Sequence, residues 1–437
     1  MPLFFCIINS DMKKVALETI GCRLNQYETE RIAATLAACG LVRVPFEDAA
    51  DLYIINTCTV TGRADASCRR AISKTIRHHN QARIVVVGCY VTAARAMVTN
   101  LNGVDLVIDN EEKEEIAGIL RKKFPEFFEN ISESVQAPLL SDFHRHNRAW
   151  VKVGDGCNQN CSFCIVPMVR GRLVNRPPGE IIAEIKHLVA HGFEEIVLTG
   201  VHLGQYRYNP IGSPAELIRH ILAETQVARL RLSSIEPQEV SPVLIAVMVE
   251  GGQRVCRHLH IPLQSGSDRI LKIMRRPYDI QSYLEKLRLA RGEIGRIVIG
   301  ADIIVGFPGE TEDDYQQTIK VVQSGLIDYL HVFSYSDRRG TVAASLPDKI
   351  HSRVIKERNE ILHGISGEQY AKALKREIGE TAYAISEHRA ERGDHFWGIT
   401  DNYLKVALPA GRGGTKEIIK MKITGANDRH LIGEIKS

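Results

Sequence analysis

The chain has 437 residues, more than one hydrophobic core ordinarily organises, so two or three domains are expected. Hydrophobic residues make up 44% and charged residues 25%, which excludes a disordered or fibrous polypeptide. The formal net charge of +4 permits a nucleic-acid partner without arguing strongly for one, and no apolar run approaches the ~20 residues of a membrane span.

The opening stretch Met1-Pro2-Leu3-Phe4-Phe5-Cys6-Ile7-Ile8 has neither a basic leader nor a small-residue cleavage site, so it makes a poor signal peptide. Met12-Lys13-Lys14 runs straight into the first good strand, and translation is expected to start at Met12. Without an export signal the expected home is the cytoplasm. In that reducing compartment clustered cysteines read as metal or redox sites rather than as a disulfide framework.

From Lys13 to about Lys123 strands and helices alternate. Strands are expected over 15–20, 52–56, 84–87 and 104–108, with helices over 25–38, 64–79 and 92–99 between them, a small parallel sheet. Residues 124–147 are mixed and polar, with Pro125 and Pro138, and read as a linker. Six further strands, 150–153, 195–198, 229–235, 258–263, 297–305 and 329–335, have helical stretches between them. Six βα units suggest an open barrel, three-quarters of the eightfold form. A charged helix runs over 352–378. The tail then changes to short β runs over 383–386, 396–400, 403–407, 418–424 and 431–435, which suit a small antiparallel barrel of oligonucleotide-binding type. The fold class is therefore α/β in three parts, with boundaries expected at 13–124, 143–373 and 376–437.

Six of the ten cysteines form two triplets of different kind. Cys157, Cys161 and Cys164 share one short loop directly after the first barrel strand. A structural zinc site ordinarily closes four ligands, and the next histidine or cysteine is His187, beyond the loop. Three thiolates from one tight loop suit a cubane that keeps one iron free, with zinc or plain thiols as the alternative. Cys22, Cys58 and Cys89 are far apart in sequence, yet each follows a strand-like run. Functional groups of open parallel sheets gather at the carboxyl ends of strands, so these three are expected to converge as ligands. Buried core cysteine is the alternative for each of them. Cys6, Cys39, Cys68 and Cys256 show no such placement and read as ordinary thiols.

Cys157-x3-Cys161-x2-Cys164, with Phe163 before the last cysteine, resembles the cluster motif of the radical S-adenosylmethionine (SAM) superfamily. The resemblance implies a [4Fe–4S] cluster whose open iron takes the amino and carboxylate groups of SAM, and a six-unit barrel around it. Reduction then cleaves SAM to methionine and a 5′-deoxyadenosyl radical.

The whole chain from Lys13 onward is similar to the methylthiotransferases, with their three-cysteine domain, radical SAM barrel and C-terminal TRAM domain. Gly21-Cys22-Arg23-Leu24-Asn25-Gln26-Tyr27-Glu28, Asn56-Thr57-Cys58-Thr59-Val60-Thr61 and Val87-Gly88-Cys89 resemble the three cysteine motifs. His260-Ile261-Pro262-Leu263-Gln264-Ser265-Gly266-Ser267-Asp268, Asp302-Ile303-Ile304-Val305-Gly306-Phe307-Pro308-Gly309-Glu310 and Tyr335-Ser336-Asp337-Arg338-Arg339-Gly340-Thr341 resemble barrel motifs. This similarity implies a second, auxiliary [4Fe–4S] cluster on Cys22, Cys58 and Cys89 that supplies or carries the inserted sulfur. It also implies two SAM molecules per turnover, one as radical source and one as methyl donor. A reductant such as flavodoxin or ferredoxin, a sulfide source and a monomeric enzyme away from membranes complete the expectation.

Three branches differ in substrate. Gly21 to Asn25 and Leu198-Thr199-Gly200-Val201-His202-Leu203-Gly204-Gln205-Tyr206 resemble the branch acting on threonylcarbamoyladenosine at position 37 of tRNA. The isopentenyl branch usually carries Gln and Met where this chain has Arg23 and Leu24. Isopentenyladenosine and an aspartate of ribosomal protein S12 are the alternative substrates. A non-catalytic, zinc-containing RNA-binding protein is the alternative of another class. One departure is Asn175, where relatives are expected to carry Ser.

Barrel sites lie at strand carboxyl ends, so Thr199, Gly200, Glu236, Gln264 and Gly306 are expected near SAM together with Phe163, although each also suits a turn or a solvated loop. Arg170, Arg172 and Arg176 after the cluster loop, and Arg338, are candidates for binding substrate phosphates or carboxylate. His258 and His260 alternate on one strand face, which suits a metal pair or, more commonly, lumen packing and hydrogen bonding. Phe396, Trp397 and Tyr403 are core residues by default, and an exposed ring would signal base stacking.

Overall fold

The computed structural model describes residues 12–128, 138–144, 146–389, 395–409 and 416–435. The opening stretch with Cys6, and the middle of the linker, fall outside them. The chain divides into two units, one ending at Leu140 and joined by Met168–Arg170, the other comprising the remainder.

The first unit is a five-stranded, all-parallel sheet in the order β2-β1-β3-β4-β5. In chain order its elements are β1 (Lys14–Thr19), α1 (Arg23–Ala38), β2 (Val42–Val44), β3 (Leu52–Thr57), α2 (Gly62–His78), β4 (Arg83–Gly88), α3 (Cys89–Thr99), β5 (Leu106–Ile108) and α4 (Ile116–Lys123). Strand side chains alternate between two cores. Val15, Leu17, Ile54, Val85 and Val87 pack with Ile32 and Leu36 of α1 and Leu120 of α4. Ala16, Tyr53, Ile55 and Val86 pack with Ile72 of α2 and Val98 of α3. Burial on both faces explains why β3 and β4 read as continuous apolar runs. Strand β2 has no counterpart among the expected elements, because three residues pairing on the edge of β1 show no periodicity. Helix α3 starts at Cys89 rather than at Thr92, because Gly88 at φ +105° turns the chain directly from strand into helix.

The second unit opens with β6 (Ala149–Asp155) and, past α5 (Val166–Arg170), whose last three residues belong to the first unit, β7 (Val174–Asn175), α6 (Pro178–Ala190), β8 (Glu195–Gly200), α7 (Pro214–Glu224), β9 (Arg229–Leu232), α8 (Pro242–Glu250) and β10 (His258–His260). It continues through α9 (Asp268–Ile273), α10 (Ile280–Glu293), β11 (Val298–Val305), α11 (Glu312–Val322), β12 (Tyr329–Ser334) and α12 (Ser352–Lys375). Ser213, Ser241, Ser267, Asp279 and Thr311 cap helices by accepting a backbone N–H from inside the first turn, which fixes where each helix begins. β6, β8 and β9 pair in parallel, as do β10, β11 and β12. The halves join through a parallel bridge between Ser234 and His260, where Ile235 N–H donates to the His260 carbonyl at 2.9 Å. The result is the expected open six-stranded barrel, with the short β7 added antiparallel to β6.

The tail folds into a closed barrel of β13 (Thr381–Arg389), β14 (His395–Thr400), β15 (Lys405–Pro409), β16 (Ile418–Ala426) and β17 (Leu431–Ile435), in the order β13-β14-β15-β17-β16. One seam departs from the antiparallel expectation: β15 and β17 run parallel. Val298 of β11 and Ala373 and Leu374 of α12 share a core with Ala382, Val406, Met421 and Leu431 of this barrel. The joint is also polar. Glu195, fully buried, accepts from Arg229 Nε at 2.5 Å and Arg231 Nε at 2.7 Å. The remaining guanidinium donors reach the carbonyls of Tyr383 (2.6 Å), Thr400 (2.9 Å) and Asp401 (3.1 Å). Tyr403, at φ +70°, stacks on His258 at 4.4 Å and lies beneath Arg231, so it serves this joint. Phe396 packs against the shared core, and Trp397 lies under Lys405 and edge-on to His430. Among the described residues no helix is long and apolar enough to cross a membrane.

Candidate cluster-binding sites

The local triplet sits between β6 and α5 in a loop held on three sides. Gly156 has φ +72°, and a Cβ there would lie 2.1 Å from the Arg172 carbonyl oxygen, so only glycine lets the loop turn under residues 171–173. Cys157 N–H donates to the Gly171 carbonyl at 3.2 Å, and Asn158 Oδ1 accepts from Leu173 N–H at 3.2 Å. Ser162 bridges the Met274 carbonyl (3.0 Å) and the Ala343 N–H (2.7 Å). Phe163 packs beside Ile270, Met274, Phe307 and Ala343, so its aromatic ring anchors the loop.

Nitrogen donors point at these sulfurs. Arg276 donates to Cys161 Sγ at 3.0 Å, and Gln159 N–H donates to Cys157 Sγ at 3.4 Å. His202 Nδ1 lies 3.6 Å from Cys157 Sγ, while its Nε2 meets Glu239 at 2.6 Å. Burial pulls His202 down, but its bonds to Cys157 and Glu239 outweigh this and lift it to about 9. Burial pushes the Cys164 thiol up to about 12, helped by the negative charge of Cys161 and Cys157. Among the described residues no carboxylate hydrogen-bonds these sulfurs. Three thiols in one short loop, with nitrogen donors aimed at Cys157 and Cys161, are a donor set that fits a metal cluster, which displaces thiol protons and leaves sulfur negative.

The dispersed triplet is assembled by three strand ends of the first unit. Cys22 is the N-cap of α1, Cys58 follows β3, and Cys89 is the first residue of α3. Two of the three thus lie at helix N-termini. A Cβ on Gly21 (φ +120°) would lie 2.6 Å from Cys58 Cβ, and one on Gly88 would lie 2.6 Å from the Thr57 carbonyl oxygen. Both glycines are therefore needed to let the ends approach. Asn25 Nδ2 donates to the Ile20 (2.8 Å) and Thr57 (3.0 Å) carbonyls, Asn56 Nδ2 to the Asn25 carbonyl (2.9 Å), and Thr57 Oγ1 to the Val87 carbonyl (2.5 Å). Burial pushes the Cys58 thiol up to about 12, and charge on Cys22 or Cys89 pushes it further. Cys58 and Cys89 are buried, whereas Cys22 is exposed. The donor set again fits a three-thiolate cluster.

Several supporting residues escaped the sequence reading. Asn110 donates to Cys89 Sγ at 3.2 Å, and it follows β5, so the strand-end rule that found the cysteines also points to it. Cys68 is a brace for Cys58, accepting its N–H at 3.4 Å and donating to its carbonyl at 3.3 Å. His202 and Arg276 carry no local signal of their bonds to sulfur. The other sequence candidates have defined partners. Arg170 binds Glu28 (2.8 Å) and Asn25 Oδ1 (2.6 Å) within the first unit. Arg176 binds Glu184 (2.7 Å) and the Lys152 carbonyl (2.8 Å). Arg172 is exposed, and Arg338 donates to the Asp337 carbonyl at 2.8 Å. Glu236 pairs with Arg276, and burial raises its carboxyl above the ordinary value. Thr199 is buried, and a Cβ on Gly200 would lie 3.1 Å from the Gly154 carbonyl oxygen. Gln264 (φ +65°) bridges the Asp302 carbonyl and the Ile304 N–H. Gly306 (φ +75°) packs where a Cβ would lie 2.3 Å from Ile355. Asn175 donates to the Arg207 carbonyl at 3.0 Å, a bond the shorter Ser would not span in the same way. Cys39 and Cys256 are buried.

Residues 151–322 match the family described as the Radical SAM superfamily, and residues 14–109 match the Uncharacterized protein family UPF0004. The threonylcarbamoyladenosine tRNA methylthiotransferase MtaB of Bacillus subtilis is 35% identical over 95% of this chain and 94% of that relative. The protein of the same name from Rickettsia prowazekii is 38% identical over 97% and 98%. A tRNA-2-methylthio-N(6)-dimethylallyladenosine synthase of Mycobacteroides abscessus is 33% identical over 97% and 89%. Among solved structures, the radical SAM methyltransferase TsrM of Kitasatospora setae superposes with a TM-score of 0.57 at 15% identity, covering 76% of this chain and 74% of that one, a likeness of fold.

Proposed function

The chain belongs to the radical SAM methylthiotransferase family, and we propose that it methylthiolates C2 of N6-threonylcarbamoyladenosine at position 37 of tRNA. The observation that carries this reading is the near-full-length similarity, at 35% and 38% identity, to relatives named for that substrate. Cys157, Cys161 and Cys164 hold one [4Fe–4S] cluster, and Cys22, Cys58 and Cys89 hold the auxiliary one. When bound, the first supplies the electron that cleaves SAM, and the second supplies or carries the sulfur. Gln159 N–H and Arg276 donate to the sulfurs of the first site, as Asn110 does in the second, and stabilise their negative charge. SAM lies against the strand ends at Thr199, Gly200, Glu236, Gln264 and Gly306, near Phe163. Half-buried Glu236 and buried Arg276 form a neutralised pair, suited to the zwitterionic end of an amino acid.

Residues 13–124 carry the sulfur side, 143–373 the SAM chemistry and 376–437 the TRAM grip on tRNA, in a cytoplasmic monomer served by flavodoxin or ferredoxin and by a sulfide source. Arg172 and Arg338 remain the candidates for substrate contact, while Arg170 and Arg176 hold their own units together. Helix α2 adds a polyanion-binding surface. Arg69, Arg70, Lys74 and Arg77 line one exposed depression, and Asp65 is the helix's only acid. Replacing Arg70, Lys74 and Arg77 by alanine is expected to weaken tRNA binding. It should also reduce the slope of log affinity against log salt by roughly 2–3, as three lost phosphate contacts require. An unchanged salt slope would remove α2 from the interface.

The deciding experiment is mass spectrometry of tRNA nucleosides from cells lacking this protein. Loss of 2-methylthio-threonylcarbamoyladenosine is expected. Loss of the 2-methylthio isopentenyl nucleoside instead would move the enzyme to the other tRNA branch.

A further inference from the structure

The lumen of the six-stranded barrel carries a second kind of ligand set, built from residues of neither thiol triplet. We propose that His260, Asp302 and His331 form a binding site for one divalent transition-metal ion of borderline softness, Zn2+ or Fe2+.

The register of three strands brings the donors together. His260 of β10 pairs with Gly300 of β11, and Asp302 of β11 pairs with His331 of β12. Side chains two residues apart share a strand face, so 260, 302 and 331 emerge on the same side of the sheet. His260 Nε2 lies 2.8 Å and His331 Nδ1 3.3 Å from Asp302 Oδ1. The three ligand atoms all lie within 4.8 Å of one another. Two donors around an ion with bonds of about 2.1 Å stand roughly 3–3.4 Å apart, so little movement is required to close the set. Two imidazoles and one carboxylate are a donor set that suits iron(II) and zinc.

The surroundings orient the set as metal sites require. The Tyr329 hydroxyl lies 3.3 Å from His260 Nδ1 and 2.8 Å from His258 Nε2, which fixes the His260 ring with Nε2 turned to Asp302. That phenol fits because residue 300 is glycine: a Cβ there would lie 2.2 Å from Tyr329 Cζ. Glycine weakens a strand interior, so its presence in the middle of β11 is explained by this close approach. The His331 ring stacks on His260 at 4.8 Å.

Charge and access agree. Among the described residues no lysine or arginine pairs with Asp302; its ionic partners are the two imidazoles. A divalent cation would give this largely buried carboxylate a countercharge. The His331 side chain is 53% exposed, against 8% for His260, which gives the ion an entry path. Three protein ligands leave a coordination position for a water or a carboxylate or phosphate oxygen.

The test uses the cluster-loaded protein, whose six cluster cysteines are occupied. It is equilibrated with Zn2+ or Co2+, desalted and analysed by elemental analysis, with the visible spectrum of the Co2+ form. Expected are about one added ion per chain, ligand-field bands without thiolate charge transfer, and binding weakened roughly tenfold or more by His331→Ala and by Asp302→Asn. His331→Ala changes an exposed side chain on the barrel's edge strand, so a folded variant is available. Absence of uptake by the parent protein, thiolate charge-transfer bands, or uptake undiminished in either variant would overturn the site.

Discussion

Replacing Cys58 by alanine is expected to abolish methylthiolation while SAM cleavage continues. The iron content of the anaerobically purified protein should fall from roughly eight to roughly four atoms per chain. Cys58 is buried at the end of β3, beside Gly21 and within electrostatic reach of Cys22 and Cys89. Its loss leaves two thiols, one of them exposed, too few to hold a cubane. The local triplet is built from other residues, and its loop is held by Gly171, Met274 and Ala343. Cys161→Ala should act in the opposite manner, removing SAM cleavage altogether. Cys68→Ser is the control: Cys68 bonds to the backbone of Cys58 and not to its sulfur, so the iron should stay. Thiolation surviving in Cys58→Ala, or iron lost equally from Cys68→Ser, would remove the dispersed triplet from its assigned role.

That two candidate thiol sites were legible in the sequence follows from where their signals lie. Cys157, Cys161 and Cys164 are local, and their spacing alone defines a loop. Cys22, Cys58 and Cys89 are distant, yet each follows a strand-like apolar run, and parallel strands bring their carboxyl ends to one edge. Gly21 and Gly88 were readable as turn residues for the same reason. The supporting residues were not readable, because their partners are set by packing. Arg276 looks like any basic residue after a short helix until the fold brings it to Cys161. His202 stood inside a recognised motif without a role. Asp302 and His331 are 29 positions apart and meet only because β11 and β12 align in register. The parallel seam between β15 and β17 was also hidden, since short strands announce themselves but not their neighbours. Tyr403 looked like core and proves to be the plug of a joint, a role that requires two barrels to be placed first.

That joint makes the largest expected effect on stability. Glu195→Ala should destabilise the second unit by roughly 3–5 kcal/mol, lowering its melting midpoint by roughly 5–8 °C. Glu195, Arg229 and Arg231 are fully buried, and Arg148 lies 3.6 Å from the same carboxylate. Removing the one anion leaves these guanidinium groups without their shared countercharge. Their bonds to the Tyr383, Thr400 and Asp401 carbonyls are neutral partners and do not replace it. The effect should also depend on pH in a defined direction. Burial alone would raise the Glu195 carboxyl, but Arg229, Arg231 and Arg148 outweigh it and hold the group well below the ordinary value of 4.5. A carboxyl depressed by folding contributes stability that is complete above its unfolded value and is lost as pH falls below it. The gap in unfolding free energy between the parent protein and Glu195→Gln, which cannot titrate, should therefore be constant from neutral pH down to about 5.5. One unit below the unfolded value it should have narrowed by about 1.4 kcal/mol. Anaerobic urea titrations at neutral pH and at that acidic pH measure both quantities. A gap that does not narrow would mean that the guanidinium cluster is neutralised by some group other than Glu195.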